Sequence, residues 1–126
     1  MKTGIISGVI FILLILLIIF GSMFTSSQAK AIDAQLEELS QAVSKSDWEK
    51  SGELYDRTYK VWKKSEPKLA LLFHHKELDD IDEAIQKLGS YISLSDREES
   101  LTEITVASFN VAHLREKDKI GLENLF

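Results

Sequence analysis

The sequence predicts an all-α protein, with one N-terminal transmembrane helix followed by a small up-down bundle of about four helical segments. An apolar run without charge covers residues 5–24, and most apolar residues after it recur at intervals of three and four. No stretch has the sustained alternation typical of a strand. We divide the chain into an anchor, residues 1–26, a helical bundle, residues 27–119, and an apolar C-terminal tail, residues 120–126.

The apolar run has the length of a membrane span. About 20 apolar residues cross the roughly 30 Å hydrocarbon core of a bilayer, whereas the apolar region of a cleaved signal peptide has about 7–15 residues. A retained signal-anchor is therefore favoured. Release as a secreted protein stays open, because Ala29 and Ala31 each complete a small-x-small sequence that signal peptidase accepts. A soluble helix covered by protein on every side is a third alternative.

Charge is distributed unevenly about this run. The chain has a net charge of −5, all 20 acidic residues follow the run, and Lys2 is the one charged side chain before it. The positive-inside rule therefore predicts a cytoplasmic N-terminus, with most of the chain on the extracytoplasmic side of a cell membrane. A net-acidic domain is a poor ligand for nucleic acid, and a chain without Cys has no disulfide or thiolate metal site.

The first two helical segments follow the anchor. Segment one covers residues 29–44, and no Pro or Gly lies between Met23 and Gly52, so it is expected to continue the membrane helix. Its apolar stripe is Ile32, Leu36, Leu39 and Val43. Segment two starts at a predicted capping box, with Ser46 as the cap. The stripe predicted to face the core is Trp48, Gly52, Tyr55, Tyr59 and Trp62, although such an aromatic stripe could instead line a groove for a partner.

Segments three and four complete the bundle. Segment three is predicted to start with Pro67 as its first helical residue, and its stripe is Leu71, His74, Leu78, Ile81, Ile85, Leu88 and Ile92. Segment four starts at a second capping box, with Ser95 as the cap. Its stripe is Leu101, Ile104, Ser108 and Val111, widened by Ala107 and Ala112. Helical character is expected to fade after Arg115, and the apolar tail is expected to fold back over one end of the bundle or to dock a partner.

Several short motifs resemble those of a known family. In order they are Asp47-Trp48-Glu49-Lys50, Val61-Trp62, Leu72-Phe73-His74-His75-Lys76-Glu77-Leu78-Asp79-Asp80-Ile81 and Leu122-Glu123-Asn124-Leu125-Phe126. Their order and spacing after an N-terminal span resemble the bacterial domain of unknown function 4363 (DUF4363) family, over essentially the whole chain. The resemblance implies a small membrane-associated helical protein and no particular activity, so no catalytic residue is implied.

Three histidines are the candidate ligands for a metal. His74 and Glu77 lie one helical turn apart, His75 and Asp79 also share a face, and His113 and Glu116 repeat the spacing on segment four. If segments three and four are antiparallel neighbours, these six side chains could converge on a metal ion. The order is the reverse of the Glu-x-x-His motif of di-metal bundles, and a core histidine at His74 is the favoured interpretation. A pH sensor based on a buried histidine is the other alternative.

Other chemistry has less support. The acidic residues between Glu77 and Glu83 lack the turn glycine of a calcium loop, which favours a solvated helix face. There is no Cys nucleophile, nucleophile elbow or phosphate-binding glycine loop. We therefore expect no enzymatic activity and no cofactor.

The function predicted from the sequence is a membrane-anchored, non-enzymatic interaction or scaffold module of the bacterial cell envelope. Its partners are the lipid bilayer and either another protein or a second copy, because the heptads of a coiled coil fit packing within the chain and self-association equally. The alternatives are a histidine-dependent metal, ligand or pH sensor and a secreted helical protein.

Overall fold

Four helices make up the structure. The computed structural model describes the backbone of residues 1–125 and the side chains of residues 1–117. The helices are α1, Lys2–Ser44; α2, Trp48–Leu69; α3, His75–Ser93; and α4, Arg97–Leu125. The described residues include no strand, so the predicted all-α class with four helical segments is confirmed.

Helix α1 joins the predicted anchor to the bundle without a break. It has 43 residues, and no Pro or Gly after Gly21 interrupts it, so nothing in the sequence introduces a hinge. The first buried side chain along it is Thr25. The predicted stripe of Ile32, Leu36, Leu39 and Val43 is fully buried, because these residues occupy one face of the helix.

The four helices form a ring in which sequence neighbours pack together and α4 closes the ring on α1. Short connections make neighbours antiparallel. The turns after α1 and α3 therefore lie at the end far from the apolar run, which we call the distal end. The α2–α3 connection lies at the end from which the run emerges, the proximal end. The seam between α2 and α3 is the least extensive of the four.

Both distal turns have the same backbone design. Ser46 and Ser95 adopt left-handed φ values of 56° and 55°. The next residue in each turn, Asp47 or Asp96, accepts a hydrogen bond from the backbone N–H three residues later, at 3.2 Å and 3.1 Å. The prediction that the serines are the caps was wrong by one residue, because each serine makes the turn and frees the following aspartate to cap the helix.

The two turns belong to a repeat of the whole hairpin. Ser46 and Ser95 are 49 residues apart, and the same offset relates buried positions throughout the bundle. On α1 and α3 the equivalent buried pairs are Ile32 and Ile81, Leu36 and Ile85, Leu39 and Leu88, and Val43 and Ile92. On α2 and α4 they are Ser51 and Ser100, Thr58 and Ala107, Trp62 and Val111, and Ser65 and Leu114. The bundle therefore consists of two equivalent helical hairpins, α1–α2 and α3–α4.

The buried face of α2 differs from the predicted aromatic stripe. Only Trp62 of that stripe is fully buried, while Trp48, Tyr55 and Tyr59 are partly buried at the edge of the core. The buried residues of α2 are Ser51, Leu54, Thr58, Trp62, Ser65 and Leu69. The predicted central face of α2 was wrong, because small hydroxyl residues occupy the buried face and most of the large aromatic rings lie along its margin.

The start of the third helix was also predicted wrongly. Pro67 lies in the last turn of α2, and α3 starts at His75. Packing carries α2 through the proline, because Ser65 and Leu69 on either side are both buried. Leu71 and His74, expected on the buried stripe of segment three, are exposed in the connection between the helices.

Helix α4 is longer than expected. It continues to Leu125, so the prediction that helical character fades after Arg115 was wrong. Its buried positions include Ile104, Ala107 and Val111 as predicted, whereas Ala112 is exposed. The expectation that the side chains of residues 120–126 cover an end of the bundle lies outside the described residues.

Candidate functional site: the anchor and its junction with the bundle

The N-terminal half of α1 is apolar on all sides and is not covered by the bundle. Of the described helices, α1 is the one long and apolar enough to cross a membrane, and its apolar window is 0% buried. Exposed leucine, isoleucine and phenylalanine side chains surround the axis. A surface of this kind in water would be very unfavourable, so its covering must come from outside the described structure.

The junction between anchor and bundle starts within the last turn of the apolar run. Thr25 is buried, and its hydroxyl donates a hydrogen bond of 3.0 Å to the Gly21 carbonyl one turn earlier. One turn further along α1, the side-chain oxygen of Gln28 accepts a hydrogen bond from the Ser65 hydroxyl of α2. Thr25 and Gln28, two polar residues that follow the apolar run, are thus paired within the protein, as polar groups removed from water generally are.

The α2–α3 connection, residues 70–74, lies against this junction. A β-carbon placed on Gly21 would be 3.9 Å from Cδ2 of Leu72, and Phe24 packs against the buried core. Along the axis of α1, the connection therefore reaches the level of Gly21, about one helical turn closer to the N-terminus than Thr25.

The two hairpins are joined by equivalent aspartates. Asp82 of α3 accepts hydrogen bonds of 2.9 Å from both the indole Nε1 of Trp62 and the ammonium Nζ of Lys63 on α2. Its equivalent in the first hairpin, Asp33 of α1, pairs with Arg115 of α4 at 3.3 Å. Each aspartate thus ties its own hairpin to the second helix of the other.

The two aspartates differ in their protonation behaviour. Burial raises the pKa of the Asp33 carboxyl, and the nearby Arg115 guanidinium offsets this effect only in part. Burial also acts to raise the pKa of Asp82, but hydrogen bonds from Lys63 and Trp62 and the charge of Lys63 outweigh it, so that pKa is lowered. Equivalent positions therefore carry pKa shifts of opposite sign.

The six candidate metal ligands lie at the surface or close to it. His74, His75, Asp79, His113 and Glu116 are exposed, and the half-buried Glu77 forms an ion pair with Lys117 of α4. Among the described residues, no three His, Asp or Glu side chains lie in an arrangement that could hold a metal ion. The interpretation of His74 as a core residue was wrong, because it precedes α3 at the N-cap position, where its ring is in solvent.

Sequence reasoning missed two contacts of the α2–α3 seam. Tyr55 of α2 donates a hydrogen bond of 3.0 Å to the Ile85 carbonyl of α3, and its ring lies over Gly89. The second contact is that of Asp82 with Trp62 and Lys63, because Asp82 was predicted to lie on a solvated acidic face of its helix. A signal was present in the equivalence of Asp82 with Asp33 and in the lone glycine of α3, but it becomes visible only once the hairpins are aligned.

Comparison with known proteins identifies one family. Residues 19–125 match the family described as Domain of unknown function (DUF4363). The match includes the last turns of the apolar run and all of the bundle, whereas residues 1–18 lie outside it. No curated protein and no solved structure matches the chain.

Proposed function

We propose that this chain, which belongs to the DUF4363 family, is a single-pass membrane protein that holds a non-enzymatic interaction or scaffold module on the extracytoplasmic face. One observation carries the proposal. The uncovered apolar half of α1 and the half that forms the bundle core belong to one uninterrupted helix, Lys2–Ser44. An anchor built in this way sets the height and the orientation of the bundle at the membrane surface.

The orientation rests on charge. Lys2 precedes the apolar run, and every acidic residue follows it. Positive charge next to a span favours the cytoplasmic side. The acidic bundle then lies outside.

Retention of the anchor is supported by the core of the bundle. Cleavage after Ala29 or Ala31 would remove Thr25 and Ala29, both buried, and would separate Gln28 from its hydrogen-bond partner Ser65. The folded domain therefore uses residues that a secreted form would lack.

The anchor is tested with the full chain in its membrane. We expect it to resist alkaline carbonate extraction, and we expect its intact mass to include the N-terminal residues. Leu14→Arg should reduce retention, because an arginine at the centre of a span costs about 2.5–3.5 kcal/mol on insertion scales. The matched control is Gln41→Arg, at an exposed position in the bundle half of the same helix, which should leave retention unchanged. A soluble product that starts after Ala29 or Ala31 would contradict the anchor.

The interaction role is tested by site-specific crosslinking in intact cells. A photoreactive residue at Phe109, an exposed aromatic position on α4, is compared with one at Arg57, an exposed polar position on α2. We expect a reproducible protein adduct from position 109, either with a second copy or with another protein, and none from position 57. The absence of adducts from both positions would contradict the interaction role and leave the anchor untouched.

A further inference from the structure

The α2–α3 connection differs from the other two connections of the bundle. The second distal turn has one exposed leucine, Leu94, but both distal turns are otherwise polar and are capped by Asp47 and Asp96, whereas the connection consists of Ala70, Leu71, Leu72, Phe73 and His74. Leu71 is 86% exposed and Leu72 is 49% exposed. Two leucines in solvent at a helix connection are unfavourable unless something apolar meets them.

The position of the connection identifies what meets it. Leu72 lies beside Gly21, within the last turn of the apolar run that ends at Phe24. If residues 5–24 occupy the hydrocarbon core, which is about 30 Å thick, Gly21 lies about 5 Å inside its outer boundary. The leucines of the connection are then at the depth where acyl chains meet headgroups.

The charged residues around the connection also fit a position where acyl chains meet headgroups. No acidic residue occurs between Glu66 and Glu77, although the chain has a net charge of −5. Lys68 and Lys76 flank the connection and are exposed, as are His74 and His75. Lysines beside a shallow apolar insertion reach phosphate groups, while their stems stay close to the acyl chains.

We infer that the α2–α3 connection is a second membrane contact, in which Leu71 and Leu72 insert into the outer leaflet and Lys68 and Lys76 bind the phosphates of anionic lipids. The bundle then rests on the bilayer with its proximal end and is not held away from it on a stalk. This inference rests on the proposed anchor, because the depth of the connection is measured from the apolar run.

The experiment uses the full chain reconstituted in lipid vesicles. The chain has no Cys, so single-cysteine variants carry an environment-sensitive fluorophore at one site each. The test site is Leu71→Cys, the matched control is Leu94→Cys, an exposed leucine in a distal turn, and Leu17→Cys reports on the anchor. Quenching by lipids with a spin label near the headgroup or deep in the acyl chain gives the depth of each site.

We expect blue-shifted emission at position 71 with stronger quenching by the shallow label, deep quenching at position 17, and water-like emission without quenching at position 94. Water-like emission at position 71 together with deep quenching at position 17 would overturn the inference and leave the anchor intact. Blue-shifted but unquenched emission at position 71 would also overturn it, because protein would then cover the connection. Loss of quenching at position 17 would instead contradict the anchor itself.

A second arm tests the lysines. Quenching at position 71 should be stronger in vesicles that contain phosphatidylglycerol than in phosphatidylcholine alone. The double variant Lys68→Gln, Lys76→Gln should abolish that difference, since each lysine near an anionic surface contributes about fivefold to binding. Equal quenching of the unaltered protein in the two lipid mixtures would overturn the assignment of phosphate contacts to Lys68 and Lys76.

Discussion

The two hairpins of the bundle have the same turn and the same register, but they fill the core in different ways. In the second hairpin, the buried face of α4 carries Ala107, Val111 and Leu114. At the equivalent positions of the first hairpin, α2 carries Thr58, Trp62 and Ser65. At these positions α2 therefore has one large ring between two small hydroxyl residues, whereas α4 has three apolar aliphatic side chains. The repeat therefore determines which positions of each hairpin are buried, whereas the stability of each hairpin depends on which residues occupy those positions.

The largest expected effect tests how strongly the first hairpin depends on Trp62, its one fully buried aromatic residue. Trp62→Ala should destabilise the bundle by about 3–5 kcal/mol, because it leaves a cavity and removes a hydrogen bond to Asp82. The equivalent change, Val111→Ala, removes two methyl groups and should cost about 1.5 kcal/mol. Urea unfolding of the full chain in a mild detergent, followed by circular dichroism, measures both. Equal losses at the two positions would break the comparison.

The next effect concerns Gly89, which lies on the α2–α3 seam, and Gly52, an open position on α2. A β-carbon on Gly89 would come within 2.4 Å of the Tyr55 hydroxyl oxygen. Gly89→Ala should therefore displace the ring and destabilise the bundle by about 1–3 kcal/mol. Gly52→Ala meets no atom within 4 Å and should stabilise α2 by up to about 1 kcal/mol through helix propensity. The same unfolding assay should give opposite signs, and stabilisation by both changes would show that the Tyr55 contact is dispensable.

A smaller effect distinguishes the equivalent serines Ser51 and Ser100. Both are fully buried. The Ser51 hydroxyl donates a hydrogen bond of 2.7 Å to the Asp47 carbonyl, whereas that of Ser100 has no partner among the described residues. Ser51→Ala should cost about 0.5–1 kcal/mol, and Ser100→Ala should be neutral or stabilising by up to about 1 kcal/mol. A larger loss from Ser100→Ala than from Ser51→Ala would contradict this description of the two sites.

The effect of pH should distinguish Asp33 from Asp82. The pKa of Asp82 is lowered in the folded state, so its contribution to stability is present above about pH 4 and is lost as the pH falls through its folded pKa. The pKa of Asp33 is raised, so its ionisation opposes folding at neutral pH, and stability is regained as the pH falls through its folded pKa towards about 4.

The matched variants Asp82→Asn and Asp33→Asn test these signs. Asp82→Asn should lower stability at neutral pH and flatten the decline below about pH 4. Asp33→Asn should not lower neutral stability through loss of its charge, and it should remove the gain that the unaltered protein shows as the pH approaches about 4 from above. Denaturant midpoints measured from neutral pH to about pH 3 give both curves, and curves of the same shape would exclude opposite pKa shifts.

The parts of the fold that were predictable from the sequence are those in which burial follows hydrophobicity. The stripes of α1 and α3 consist of Ile, Leu and Val, so the pattern in the sequence is also the pattern of burial. Helix α2 was predicted with the wrong central face, because Ser51, Thr58 and Ser65 are polar residues that become buried by making short hydrogen bonds. The connection after Leu69 was predicted as helix, because Leu71 and Leu72 extend the apolar pattern without packing on the core.

The candidate site was less predictable than the fold. The candidate membrane span was predictable from the apolar run, because length and composition suffice for that step. Whether His74, Glu77 and His113 converge depends on the rotation of each helix about its axis, which spacing within one helix does not determine. The proximity of Leu72 to Gly21 depends on where α2 ends. Segment two was predicted to end before Pro67, about one helical turn too early, so this proximity was not predicted.

The proposed function requires that α1 crosses the membrane once and holds the bundle outside. The most direct test is the labelling of single-cysteine variants in intact protoplasts with a membrane-impermeant maleimide, which the absence of Cys in the chain makes unambiguous. Leu94→Cys, in the distal turn of the second hairpin, should be labelled without permeabilisation, whereas Thr3→Cys, before the apolar run, should be labelled only after it. Labelling of Thr3→Cys and protection of Leu94→Cys in intact protoplasts would contradict the account.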